Sequence, residues 1–342
     1  MRPFAYRRAE TDARAIALAA GPQVPPTHVP PTLAPAQFLA GGTTIIDLMN
    51  TGAMAPETLV DINDLAAAHG RVEAGPDGLH LGALVRMAEA AADPRVRRDY
   101  PAIAQSLDLA ASQQLRHMAS LGGNVLQRTR CRYFRDPSWT ACNKRQPGSG
   151  CAAIGGVNRM HAVLGVSDRC IASYPGDFGQ ALIALEAVVE LDGPKGRRAI
   201  PFEALHRAPG QTPEIETTLT PGELITGFHV PAAPWTRRSL YLKVRDRQSY
   251  EFALASAAVA LELDGGAVRH ARVALGGVAT RPWRSREAEA ALVGKALDET
   301  TAWRAAQVAF AGAVTHGMND FKPELGGRTL TRARLEATRM EV

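Results

Sequence analysis

All the cysteines of this 342-residue chain fall between Gln127 and Ala172, as Cys131, Cys142, Cys151 and Cys170 in the spacing C-x10-C-x8-C-x18-C. Four thiols in one window can bind a metal, pair as disulfides, ligate a cluster, or sit inert in a core. Zinc usually draws its cysteines from close C-x2-4-C pairs, and none is present. Two disulfides need an oxidising compartment and suit chains too short to bury a core, which this one is not. An iron–sulfur cluster takes four thiolates and tolerates irregular spacing. Buried thiols without a ligand are the plain alternative, weakened by the absence of cysteine elsewhere. Iron–sulfur ligation leads, and the other readings stay open.

Charge points the same way. Residues 128–171 carry eight arginines and lysines against Asp136 and Asp168, a net of +6, while the whole chain is +5. Neighbouring cations favour thiolate over thiol. A basic nucleic-acid patch would also be positive, and Tyr133, Phe134 and Trp139 could supply its aromatics. We expect no nucleic acid here.

The elements that must position these thiols begin with two glycine turns. Phe38-Leu39-Ala40 reads as a strand that runs into Gly41-Gly42-Thr43-Thr44, and Ile45, Ile46, Leu48 and Met49 suit a helix behind it. A strand, a glycine turn and a helix start form a place for phosphate, because glycine lets the backbone approach and the first amides are unpaired. A second turn, Gly122-Gly123 followed by Asn124, precedes the cysteine stretch. Between the turns, Leu59–Ile62 and Leu79–Leu81 read as strands, Met87 to Ala92 as a helix stopped by Pro94, and Tyr100 to Leu115 as mostly helical. Pro22 to Pro35 reads as a stiff, extended surface link.

After the cysteines, Asp177 is placed to cap a helix through Leu185. Val188–Leu191 returns as a strand. From about Trp235 the chain reads as a separate unit. Phe252–Leu263 and Ala267–Val278 form a hairpin on Asp264-Gly265-Gly266. A helix capped by Ser285 and a second over Thr300 to Val314 follow. His270, His316 and Trp283 are given no chemistry. Length and composition allow two or three domains with their own cores. No apolar run is long enough to cross a bilayer. The N-terminus has no clean signal-peptide core, so export would depend on a partner carrying the signal. No dinucleotide fingerprint, Walker loop, zinc-protease or nucleophile-elbow motif is present. The residues alone describe a binding protein for a phosphate-bearing cofactor and a metal cluster.

LAGGTTIIDLM and QLRHMASLGGNVLQ resemble the two flavin-binding loops of the FAD-binding medium subunits of the molybdenum hydroxylases, the xanthine dehydrogenase family. TLTPGELITGFHVP, KVRDRQSYEFALASAAVAL and VALGGVATRPWRSREAEAAL follow in the family's order, so the likeness covers nearly the whole chain. Most of the family runs almost directly from the second loop to a segment like Ala172-Ser173-Tyr174-Pro175-Gly176-Asp177, which makes 128–171 an insertion. In this the chain resembles the periplasmic aldehyde oxidoreductase branch, whose insertion holds a [4Fe-4S] cluster.

The resemblance implies an α+β fold. A two-part FAD-binding domain over 1–230 (subdomains 1–65 and 66–230) would precede a small α+β domain over 235–342. It implies FAD, with Ala40, Gly41, Gly42, Thr43 and Thr44 around the pyrophosphate and Ser120, Gly122, Gly123 and Asn124 as the second wall. Asp177 would accept from ribityl or ribose hydroxyls, Lys243 would reach the flavin side, and Leu224 and Ile225 would pack on the adenine. Cys131, Cys142, Cys151 and Cys170 would hold a [4Fe-4S] cluster. The implied function is electron transfer. A large molybdenum-cofactor subunit would oxidise an aldehyde or related substrate. A small subunit with two [2Fe-2S] clusters would pass electrons to this FAD, and an external electron acceptor would take them. The implied compartment is the periplasm by co-export, with the cytoplasm as the alternative. A zinc-stabilised interaction module without a redox role is the competing reading.

Overall fold

A computed structural model describes residues 1–20 and 31–342. Most of the proline-rich link read over 22–35 lies outside them. Three sheets organise the described chain. The first is parallel, with β1 (Ala5–Arg8), β2 (Ala36–Leu39) and β3 (Thr58–Asp61) in the order β1-β3-β2. Its middle strand buries Leu59 and Val60, and the helix Asp12–Ala20 packs on it through Ala15 and Ala19.

The second sheet is antiparallel and five-stranded: β4 (Val72–Gly75), β5 (Gly78–Gly82), β6 (Val188–Asp192), β7 (Arg198–Pro201) and β8 (Leu224–Pro231), in the order β4-β5-β8-β6-β7. Short helices cover it. Pro94 does not simply stop the Met87–Ala92 helix. It opens a new one, Pro94–Asp99, whose first amides are accepted by the Asp93 carboxylate, because proline at the first helical position loses no hydrogen bond. The helix expected from Tyr100 to Leu115 is two pieces, Pro101–Asp108 and Gln113–Met118, broken where Ala111 takes φ 47°.

The third sheet holds β9 (Ser239–Val244), β10 (Ala255–Asp264), β11 (Ala267–Gly276) and the short β12 (Trp283–Arg284), in the order β12-β11-β10-β9. The hairpin turns at Gly265 and Gly266, both at positive φ (55° and 86°). Side chains alternate across a strand, and β10 uses both faces. Ala258 and Ala260 join the core of the preceding domain, whereas Ala255, Ala257, Val259 and Leu261 join the core under the C-terminal helices. Alanine on the first face lets the helix Phe178–Ala184 come close. The C-terminal unit is larger than the two strands and two helices expected, with four strands and the helices Arg286–Leu292, Glu299–Ala309 and Lys322–Thr338.

Candidate functional site

The two glycine turns face each other across one cleft with a cavity volume of about 240 Å³, and Ala40, Gly41, Gly42, Thr43, Thr44, Ser120, Gly122, Gly123, Leu224 and Ile225 all line it. The first turn follows β2 directly. Gly42 takes φ 74°, which only glycine adopts freely, and its carbonyl accepts from Ile46 to start the helix Ile45–Thr51. Among the described residues, nothing accepts from the Gly41, Gly42, Thr43 or Thr44 amides, so four donors on cleft-lining residues are left without a protein partner. That is the donor set an anionic pyrophosphate needs.

The second turn is built differently. Leu121, Gly122, Gly123 and Asn124 donate to Val85, Ala83, the Ser120 hydroxyl and the Ser120 carbonyl. Its amides are used up in folding, so it serves as a wall and not as a donor nest. Gly41 sits hard against it: a Cβ there would lie 1.9 Å from the Met118 carbonyl oxygen. A polar clip that sequence reasoning missed fixes the approach. Asn63 Nδ2 donates to the Ala40 carbonyl (3.0 Å), and Arg86 donates to Asn63 Oδ1 (2.9 Å) and to the Met118 carbonyl (2.7 Å).

Three of the expected cofactor contacts stand away from the cleft lining. Asn124 is at the end of its turn, where its Nδ2 donates to the Met87 sulfur at 3.3 Å and its Oδ1 is buried without a partner. Asp177 occupies the cap position of the helix Phe178–Ala184 without capping it. Its carboxylate instead accepts from Lys243 Nζ at 2.8 Å and from the Tyr241 hydroxyl at 2.5 Å, and Lys243 also donates to the Leu109 carbonyl at 3.1 Å. Burial beside that carboxylate pushes the Tyr241 hydroxyl well above its ordinary value.

The cleft wall also contains a charged triad in which Arg128 is buried and Lys144 and Glu216 are half-buried. Glu216 accepts from Arg128 Nε at 3.0 Å and from Lys144 Nζ at 2.8 Å, and Lys144 donates to the Pro213 carbonyl at 3.0 Å. Burial alone would raise the Glu216 carboxyl, but the two cations overturn that and hold it at about 2.

The four cysteines come together. All are free thiols, and all line one small cavity inside the segment 131–172. Backbone amides aim at the sulfurs: Tyr133 and Phe134 at Cys131, Ala153, Ile154 and Ile171 at Cys151, and Ala172 at Cys170 (3.5 Å). The adjoining Cys170 thiol, with those amides, draws the Cys151 thiol down to about 6, while burial pushes Cys131 up to about 11. His161 Nε2 lies 3.2 Å from Cys131 Sγ, and burial holds that imidazole down to about 4. Among the described residues, no three of the histidine, cysteine and carboxylate groups converge on a point where one metal ion could sit.

The positive charge of this segment has a different job from the one its excess suggests. Arg130 and Arg135 pair with Asp47 on the helix behind the first glycine turn, Arg159 pairs with Asp246, and Arg128 and Lys144 pair with Glu216. These cations dock the segment onto its surroundings. Lys144 also acts favourably on the Cys170 thiolate. Together with Ala172 it lines both the glycine cleft and the cysteine cavity, so the two sites share one wall.

Residues 4–233 match the FAD binding domain in molybdopterin dehydrogenase, and residues 240–337 the CO dehydrogenase flavoprotein C-terminal domain. The aldehyde oxidoreductase FAD-binding subunit PaoB of Escherichia coli K12 is 45% identical over 341 residues, 98% of this chain and 99% of its own. The carbon monoxide dehydrogenase medium chain of Afipia carboxidovorans is 28% identical over 304 residues, 87% of each chain. Among solved structures, the carbon monoxide dehydrogenase of Hydrogenophaga pseudoflava superposes with a TM-score of 0.73 at 25% identity, covering 98% of both chains.

Proposed function

Because this chain belongs to the FAD-binding medium subunits of the molybdenum hydroxylases, we propose that it is the flavin-carrying electron-transfer subunit of an aldehyde-oxidising complex. In this reading a large partner oxidises the aldehyde at a molybdenum cofactor, and a small partner relays electrons through two [2Fe-2S] clusters. The FAD on this chain takes them and gives them to an external acceptor. The likeness to the aldehyde oxidoreductase subunit supports the substrate class. The observation that carries the reading is the set of four unshared amides, Gly41 to Thr44, on a turn that lines one cleft together with a second glycine turn.

Bound FAD supplies the electron-accepting chemistry, and the protein binds and orients it. The Gly41–Thr44 amides would donate hydrogen bonds to the pyrophosphate, and the second turn would close the opposite side. The Asn63–Arg86 clip holds the gap between them. Arg128, Lys144 and Glu216 fix the charge of the remaining wall. Asp177, Lys243 and Tyr241 brace the helix Phe178–Ala184 against the third sheet instead of projecting into the cleft.

The same reading gives Cys131, Cys142, Cys151 and Cys170 a [4Fe-4S] cluster. A cubane takes one thiolate per iron, so its ligands ring a volume and need not meet at one point. Four cysteines around one cavity, with six amides aimed at three of the sulfurs, suit that donor set. Export to the periplasm on a signal-bearing partner follows the aldehyde oxidoreductase branch. The test is Cys142→Ser in the purified complex: iron and acid-labile sulfide should fall by one cluster while FAD stays bound. Wild-type complex without flavin would overturn the whole reading, and zinc in place of iron at these cysteines would overturn the cluster alone.

A further inference from the structure

We propose that His161 tunes the reduction potential of the cluster held by the four cysteines, by donating its Nε2 hydrogen to Cys131 Sγ. The inference rests on the cluster reading above. His161 is 4% exposed, and its Nε2 lies 3.2 Å from the sulfur. Its Nδ1 is buried and meets no protein partner, so the ring proton belongs on Nε2, where it finds an acceptor. Among the described residues no other side chain outside the cysteines bonds to one of the four sulfurs; the remaining donors are backbone amides.

The ring is held in place by its own surroundings. The His161 amide donates to the Asn158 carbonyl at 2.9 Å, and Asn158 is anchored by its Nδ2 donating to the His316 carbonyl at 2.7 Å. Tyr133, whose amide points at the same sulfur, stacks obliquely on the imidazole with ring centroids 6.3 Å apart. The C-terminal domain, through the His316 carbonyl, therefore anchors the turn that carries this donor.

A hydrogen bond to a ligand sulfur favours the more electron-rich state, so each such bond raises the potential. One-electron reduction adds charge to the cluster and its thiolates, and no bond to the histidine forms or breaks. His161 is thus a positioning residue that sets how readily the cluster accepts an electron, and it is not a fifth ligand. Backbone amides offer no such handle, since every residue type except proline carries one.

The experiment uses the whole purified complex, with His161→Leu and His161→Gln beside the wild type. Iron, labile sulfide and FAD are counted first. The cluster is then titrated with dithionite and followed by low-temperature electron paramagnetic resonance, where its fast relaxation separates it from [2Fe-2S] signals. His161→Leu should keep its iron and FAD yet show a reduced-to-oxidised ratio about tenfold lower at a fixed poise, about 59 mV for one electron. His161→Gln, which keeps a donor, should recover part of that shift. An unchanged potential in His161→Leu overturns the inference and leaves the cluster intact as a reading. Loss of iron in both variants with FAD retained also overturns it, because His161 would then hold the cluster and not tune it. Wild type without iron at these cysteines overturns the cluster reading itself.

Discussion

Arg86 donates to Asn63 Oδ1 at 2.9 Å, and through that contact two glycine turns about eighty residues apart in sequence are fixed to each other. Asn63 grips Ala40 of the first turn, and Arg86 grips Met118 at the approach to the second. Asn63→Ala removes one bond to each side without touching the amides proposed for the pyrophosphate. FAD affinity should fall about tenfold, the scale of one or two net hydrogen bonds. Flavin fluorescence on titration measures it, and an unchanged dissociation constant would show that the clip does not set the gap.

A harsher change at the same place is Gly41→Ala. The new methyl must displace a backbone carbonyl, since the Met118 oxygen lies 1.9 Å from where it would sit. Forcing an atom into a filled place costs about 1–3 kcal/mol, so flavin should bind at least about fivefold more weakly. Gly155→Ala is the control, because a Cβ there meets nothing within 4 Å. Equal flavin content in the two purified variants would count against the packed approach of the turns.

Lys243→Met leaves the Asp177 carboxylate buried without its cation. Their side chains are only 1% and 4% exposed. Breaking one side of such a pair costs about 3–5 kcal/mol, while replacing both partners with apolar residues is much milder. The urea midpoint should therefore drop sharply in Lys243→Met and recover in the double variant Asp177→Leu/Lys243→Met. A variant of normal stability that instead binds flavin poorly would return Lys243 to the role of a cofactor contact.

Glu216 gives the fold a dependence on acid. Its carboxyl sits at about 2 in the folded protein against an ordinary 4.5. A folded value below the unfolded one means that the stabilisation is complete above about pH 4.5. It drains away as pH falls towards about 2. The full amount is at most about 3 kcal/mol. Melting temperatures between pH 5 and pH 3 should fall less steeply in Glu216→Gln than in the wild type. Parallel slopes would place the acid sensitivity elsewhere.

The parts of the site that rest on local punctuation were legible in the sequence. A strand ending in Gly41-Gly42 and a second turn at Gly122-Gly123 announce themselves through residues that few other structures need, and both line the cleft. The cysteines were legible because they are all in one window. What stayed hidden depends on partners far apart in the chain. Arg128 and Glu216 are 88 residues apart, and nothing near either one names the other. A buried ion pair such as Asp177–Lys243 looks, in sequence, like two charges awaiting a ligand. The helix Lys322–Thr338 escaped notice because Gly326 and Gly327 interrupt its pattern. Yet those glycines are why it packs: a Cβ at Gly326 would strike the Phe310 ring at 2.2 Å.

The cysteine-bearing segment enters the sequence like an addition, yet part of it is structural timber for its neighbour. Val163 and Leu164 lie in the core of the C-terminal domain, both donate their backbone amides to the Val278 carbonyl, and Asn319 Nδ2 donates back to the Ala162 carbonyl. Anyone trimming residues 128–171 to obtain a minimal flavoprotein would pull a joist from the adjoining room.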